Sequence, residues 1–222
     1  LVGIASHDRK SPLRGLIGSA EALAHEAKDP AAVQHLARRM QGEGERMFRL
    51  IRDLLDVSAL ESGRLELRFA PVSAAGLARA VADALQVRAQ AKQQTLTCLV
   101  EPDAADARVS ADEDRLRQAL ENLVDNALKF TPAGRAVRLR VGLEGTSVRL
   151  AVEDEGPGLS PEDYGRMFQP FQRLSAGPTG GEPSSGLGLF ITREIVAAHG
   201  GQLVVESVPG EGATFAFALP RA

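Results

Sequence analysis

The sequence predicts an α+β protein in two parts. An N-terminal helical hairpin pairs with a second copy into a dimeric four-helix bundle, and an α/β sandwich follows. Three observations carry this reading. Apolar residues between Val33 and Val57 recur every seven positions. Beyond Arg68 helical periodicity mixes with two-residue alternation. A long amphipathic segment, Asp112 to Phe130, runs directly into two alternating stretches.

The first 61 residues or so read as two helices joined by "KDPAA" (Lys28 to Ala32), with Asp29 as N-cap and Pro30 at the first helical position. In the second helix Val33, Met40, Met47 and Leu54 form one heptad column, and Leu36, Glu43, Leu50 and Val57 the other. Two helices alone bury too little for stability, so the seam calls for a second chain or for the rest of this one. The period breaks at "SGRLEL" (Ser62 to Leu67). The expected division is residues 1–62 for the hairpin, 63–68 for a linker and 69–222 for the second domain.

Within the second domain Ala75 to Gln90 has helical period, and "QTLTCLV" (Gln94 to Val100) reads as a strand. Asp112 to Phe130 is a helix with acids in its first turn, where the helix dipole favours them. Val137 to Leu143 and Ser147 to Asp154 form a hairpin across "EGT". "SAGPTGGEPSS" (Ser175 to Ser185) is a flexible loop, Leu187 to His199 is a helix, and a closing hairpin turns at "VPGEG".

Composition narrows the function. The chain has 222 residues, 44% of them hydrophobic, which supplies a core for one large domain or two small ones. A net charge of −3 gives no broad basic surface for nucleic acid. The single cysteine, Cys98, forms no internal disulfide framework and fits a reducing compartment. No run of about 18 apolar residues spans a bilayer. Leu1 opens mid-pattern, so the chain reads as a cytoplasmic fragment of something longer, with no membrane contact of its own.

Four groups of residues carry chemistry. Asn122, Asn126 and Lys129 stand at i, i+4 and i+7 on one helical stripe, away from Leu116, Leu120, Leu123 and Ala127. Amide oxygens can ligate a hard cation beside phosphate oxygens, and an ammonium suits phosphate charge. Asp154 ends a strand before Gly156 and Gly158; a fixed carboxylate accepts a hydrogen bond from an exocyclic amine, and the glycines let a flat ring approach. Gly186 and Gly188 sit at a helix start, whose free N–H groups cradle phosphate. Each of these alone also fits a solvated face, a plain strand-to-helix turn or an ordinary helix start. The fourth group is His7-Asp8. A neutral imidazole with a pKa of roughly 6.5 is a competent nucleophile, and an adjacent carboxylate takes its proton. The heptad column His7, Arg14, Glu21 is polar throughout, so it faces solvent.

Taken in order, the asparagine stripe, "DEGPG" and "SSGLGLFI" resemble the N, G1 and G2 boxes of the Bergerat-type (GHKL) ATP-binding domain shared by sensor histidine kinases, gyrase, Hsp90 and MutL. "MFQPF" (Met167 to Phe171) resembles the kinases' F box, "GATFAFALP" their closing strand, and "RLIRDLLDVSALESGRLEL" (Arg49 to Leu67) the second helix of their dimerisation and histidine-phosphotransfer domain. The resemblance covers nearly the whole chain. It implies a two-component sensor histidine kinase core using ATP and Mg²⁺. His7 is the implied phosphoacceptor and Asp8 its acid. Asn126 holds Mg²⁺, with Asn122 and Lys129 near the phosphates. Asp154 reads the adenine amine, helped by Gly156 and Gly158. Gln172 to Ser185 is the ATP lid, ending on Gly186-Leu187-Gly188. The implied partners are a second copy, through the N-terminal helices, and the aspartate of a response-regulator receiver domain.

The chain departs from the family pattern in places. "HDRKSPL" stands where the family reads approximately H-E-L-R-T-P-L. Asp8 and Lys10 keep the charges, while Ser11 replaces the Thr or Asn that usually supports phosphatase action. Arg9 shares a column with Val2, Leu16 and Leu23, and a guanidinium in that apolar seam must snorkel, find a carboxylate or loosen the packing. Ser184 replaces the first glycine of the family's G-x-G-L-G-L. Two rival readings remain. The first is an ATP-hydrolysing clamp, which needs a Glu four residues before the metal-binding Asn, where this chain has Asn122. The second is a degenerate module that dimerises and binds nucleotide without phosphotransfer.

Overall fold

The computed structural model describes residues 13–23, 29–61, 66–172, 174–180, 182 and 185–222, and the chain divides into two compact units, 1–65 and 66–222. His7, Asp8, Arg9, Ser11, Pro12 and Ser184 lie outside the described residues.

In the first unit residues 13–23 are helical (α1) and a 32-residue helix, α2 (Pro30–Glu61), follows. Asp29 caps α2 as its sequence foretells: its Oδ1 accepts from the Ala31 N–H at 2.9 Å, and its carbonyl accepts from the Val33 N–H. Both heptad columns lie on the sheltered side. Leu36 and Val57 are buried and the other six members are half-buried. The polar member, Glu43, packs on α1 where Gly15 has no side chain; a Cβ there would stand 3.3 Å from its Cγ. Arg14 and Glu21, the described members of the His7 column, are exposed, and Leu16 and Leu23 of the Arg9 column are half-buried.

The second unit begins with β1 (Ala70–Ser73), α3 (Ala74–Ala91), β2 (Thr95–Val100), β3 (Arg108–Ala111) and α4 (Glu113–Phe130). It continues through β4 (Ala136–Glu144), β5 (Ser147–Asp154), the single-turn α5 (Pro161–Tyr164), α6 (Gly188–Ala198), β6 (Leu203–Val208) and β7 (Gly212–Pro220). Five strands form a sheet in the order β2-β4-β5-β7-β6, antiparallel except for the β2–β4 pair, while β1 and β3 form a separate two-stranded ladder. Alternation builds the core: Val137, Leu139 and Val141 of β4 point inward, in register with Leu150 and Val152 of β5 and, through them, Phe215 and Phe217 of β7. Over this face lie α3, α4 and α6. α4 contributes Leu116, Leu120, Leu123, Val124, Ala127 and Leu128, all buried, so its opposite stripe is left for other work.

The hairpin expected across "EGT" forms, with Gly145 at φ +59° in its turn. The elements without a sequence expectation, β1, β3 and α5, are each four residues long, too short to show a period.

Candidate functional site

A cavity of about 320 Å³ opens beside α4, between the loop that leaves β5 and the start of α6. Its walls bring together Asn126, Asp154, Gly158, Gly186 and Gly188, separated by up to 62 positions in sequence, and they are lined further by Phe130, Leu159, Met167, Leu189 and Phe215. The apolar wall could accept a flat heterocycle. Met167, Leu189 and Phe215 belong to the family-like stretches "MFQPF", "SSGLGLFI" and "GATFAFALP", while Phe130 and Leu159 carried no separate functional signal.

At one end stands Asp154. Its Oδ1 accepts the Gly156 N–H at 2.9 Å, and burial pushes the carboxyl above its ordinary value against the pull of the Gly156 and Ala213 N–H groups. The loop glycines are required by the protein's own packing, and Gly158 also lines the cavity. Gly158 has φ +69°, and a Cβ on it would meet the Val208 carbonyl oxygen at 2.3 Å. A Cβ on Gly156 would meet Asp154 Oδ1 at 2.7 Å and the Phe130 carbonyl at 3.3 Å. Both glycines let the β6–β7 hairpin and α4 close on this loop, and that closure fixes the carboxylate.

At the other end α6 begins at Gly188 with no side-chain cap, and Gly188 and Leu189 line the cavity. A Cβ on Gly188 would stand 3.8 Å from both Asn122 Cγ and Asn126 Nδ2, in space the glycine leaves open, and Asn122 Nδ2 donates to the Gly188 carbonyl at 3.4 Å. Leu187 is a buried N-cap that anchors the turn in the core. Gly186, at φ +68°, lets the chain pass the Phe171–Gln172 backbone, and its carbonyl accepts the Phe171 N–H. Lys129 is on the expected stripe but outside the cavity lining, its Nζ 2.8 Å from Asp125 Oδ2, and Arg88 of α3 binds the same carboxylate. The sequence reading missed Asp125; its spacing of four from Lys129 was the available signal.

Described residues of the loop from Gln172 to Ser185 fold onto this framework. Ser175 donates through N–H and Oγ to the buried Asp163, at 3.0 and 2.7 Å. Thr179 bonds the Lys129 carbonyl, and Glu182 pairs with Lys92 at 2.8 Å. Burial alone would raise the Asp163 carboxyl, but hydrogen bonds from Ser175, Arg166 and Ser160 outweigh it and hold the group far below the usual carboxylate range.

A divalent cation fits the donor set only beside phosphate. No cluster of three or more His, Cys, Asp or Glu side chains suited to a metal exists among the described residues, yet Asn126 and Asn122 border the space left open at Gly188. Mg²⁺ commonly takes one or two protein ligands with substrate phosphates supplying more. Together these features place a buried carboxylate, an uncapped helix start and two asparagines around one cavity.

Known proteins place the chain in a family. Residues 1–63 match the His Kinase A (phospho-acceptor) domain, and residues 111–222 match the histidine kinase-, DNA gyrase B- and HSP90-like ATPase domain. The chain belongs to the sensor histidine kinase family, as the core that joins those two domains. It is 34% identical over 218 residues to the circadian input-output histidine kinase CikA of Synechococcus elongatus, covering 97% of this chain and 29% of that protein. It is 34% identical to the sensor protein GacS of Pseudomonas syringae, covering 98% of this chain and 24% of the relative. The chain thus spans less than a third of the length of these relatives. Full-length ShkA in complex with AMPPNP is 35% identical, with a TM-score of 0.73 over 98% of this chain and 44% of that one. The Acinetobacter baumannii histidine kinase AdeS shares the fold, with a TM-score of 0.76 at 22% identity over 96% of this chain and 97% of that one. Among the described residues no helix is long and apolar enough to cross a membrane.

Proposed function

We propose that this chain is the working core of a dimeric histidine protein kinase: it binds ATP in the second unit, moves the γ-phosphoryl group to His7, and passes it to an aspartate of a response-regulator receiver domain. One observation supports this most. A single cavity has a buried carboxylate at one end and, at the other, an uncapped helix start facing two asparagines. Asp154 accepts from the adenine amine while Gly156 holds its other oxygen. The α6 N–H groups take phosphate oxygens, and Lys129 can exchange Asp125 for phosphate charge. Bound Mg²⁺, held by Asn126, supplies charge neutralisation for the transferring group. Phosphoryl transfer of this kind is mostly positioning and electrostatics, and these residues supply both. At His7 the lone pair of a ring nitrogen attacks the γ-phosphorus, ADP leaves, and Asp8 takes the imidazole proton.

Phe48, Ile51 and Leu55 form an exposed apolar stripe on α2 at 70%, 52% and 66% exposure, with Leu13 and Ile17 exposed on α1, which supports pairing of two copies. Incubation with γ-labelled ATP tests the reading. Acid-labile, alkali-stable label on the wild type, absent from both His7→Ala and Asp154→Ala, is the expected result, with His7→Ala retaining nucleotide affinity within about twofold. Free phosphate without protein label points to a hydrolysing clamp, and nucleotide binding without either points to a signalling module lacking transfer.

A further inference from the structure

The two helices that form the phosphate end of the site run antiparallel, and both are fastened at their far ends by the same two residues. From Asp112, the N-cap of α4, to Asn122 is ten residues; from Gly188 to His199, the C-cap of α6, is eleven. At 1.5 Å per residue these are struts of roughly 15 and 17 Å. At the near end Gly188 faces Asn122 and Asn126. At the far end the Asp112 N–H donates to His199 Nε2 at 3.0 Å, joining one strut to the other.

Both nitrogens of the His199 ring are engaged. The residue is 6% exposed, and its Nδ1 lies 2.7 Å from the Ile195 carbonyl. With Nε2 accepting from a backbone amide, Nδ1 is the ring nitrogen that donates to that carbonyl. Phe69 meets the ring edge-to-face, centroids 5.3 Å apart. The preceding residue completes the junction: the Arg68 N–H donates to Asp112 Oδ2 at 2.9 Å, while the Arg115 N–H occupies Oδ1 at 3.1 Å. Arg68-Phe69 therefore holds the start of α4 and the end of α6 at once. In sequence this dipeptide lies just downstream of the first unit.

We propose that His199 and Phe69 are positioning residues for the phosphate end of the nucleotide site. By pinning the far ends of both struts they set the gap between the α6 N-terminus and the Asn122/Asn126 pair, and a displacement of Arg68-Phe69 changes that gap. Asp154 belongs to β5 and its loop, which α4 meets at Phe130, beyond the Asp112–Asn122 strut, so the adenine end depends on these struts less than the phosphate end does. The inference rests on the nucleotide reading above.

Binding of AMPPNP with Mg²⁺ and, separately, of adenosine to the full chain separates the two ends. Phe69→Ala and His199→Ala are expected to weaken AMPPNP at least fivefold and to leave adenosine within twofold, and Phe69→Tyr to restore wild-type affinity. Phe69 is 53% exposed, so its variant keeps the core and answers the question even where His199→Ala does not fold. Unchanged AMPPNP affinity in Phe69→Ala, or equal weakening of both ligands, overturns the inference. A wild-type chain that binds no AMPPNP fails the nucleotide reading itself, and the inference with it.

Discussion

The two units solve the problem of burial differently. The second closes a core on itself: Leu116, Leu120, Leu139, Leu150, Ile191 and Phe217 are all within 1% of complete burial. In the first, Leu36 and Val57 are the buried apolar side chains among the described residues, each still 7% exposed, while Phe48 and Leu55 stand 70% and 66% exposed. Burying a side chain of that size contributes about 1.5–3 kcal/mol, so an open stripe of this kind is a strong drive toward a second copy. Self-sufficiency belongs to the unit that presents the cavity, and an open apolar stripe to the unit proposed to meet a second copy.

The largest effect we expect strikes the incomplete unit. Leu55→Asp removes about 1.5–3 kcal/mol of burial from each of two chains, which weakens dimerisation at least about a hundredfold. Sedimentation should find monomer at micromolar concentration, with the melting of the second unit unmoved. A dimer of unchanged affinity would break the contrast.

Gly158→Ala strikes the complete unit. The φ of +69° and the Val208 carbonyl both oppose a Cβ, so a loss of about 2–4 kcal/mol is expected, read as a fall of about 5–10 °C in the second unit's melting temperature. Dimerisation should not change.

Asp163→Asn is next, at about 1–3 kcal/mol near neutral pH, from hydrogen bonds that need a carboxylate. Because the folded carboxyl titrates below the unfolded one, its contribution is present above the unfolded value of about 3.9 and fades as pH falls further. Denaturant melts of wild type and variant should therefore differ at pH 7 and converge progressively below pH 4.

The smallest effect is Arg9→Leu, which should raise the bundle's stability by about 1 kcal/mol by returning an apolar residue to the Leu16–Leu23 column. An unchanged melting temperature would refute a loosening role for Arg9.

Legibility followed length and period. α4 was readable to within a residue because it offers five turns of amphipathic repeat and an acidic N-cap. β4 and β5 were readable because each alternates over eight or nine residues. Asp154 and Asn126 could be picked out by residue type and spacing, but their meeting in one cavity was legible only through the resemblance to the ATP-binding boxes, since nothing local encodes an approach across 28 positions. Asp163 and Lys92 were silent for a related reason: their partners, Ser175 and Glu182, lie on a loop without period.

What the sequence by itself determined was which faces are apolar: the heptad columns of α2, the buried stripe of α4 and the inward positions of the hairpin, since side-chain direction follows backbone period. Only the tertiary structure decided what the glycines are for and which residues hold the site open. Gly158 clears the Val208 carbonyl and Phe69 covers His199 because distant segments converge there. Contacts of that kind depend on chain packing, which no repeat along the sequence records.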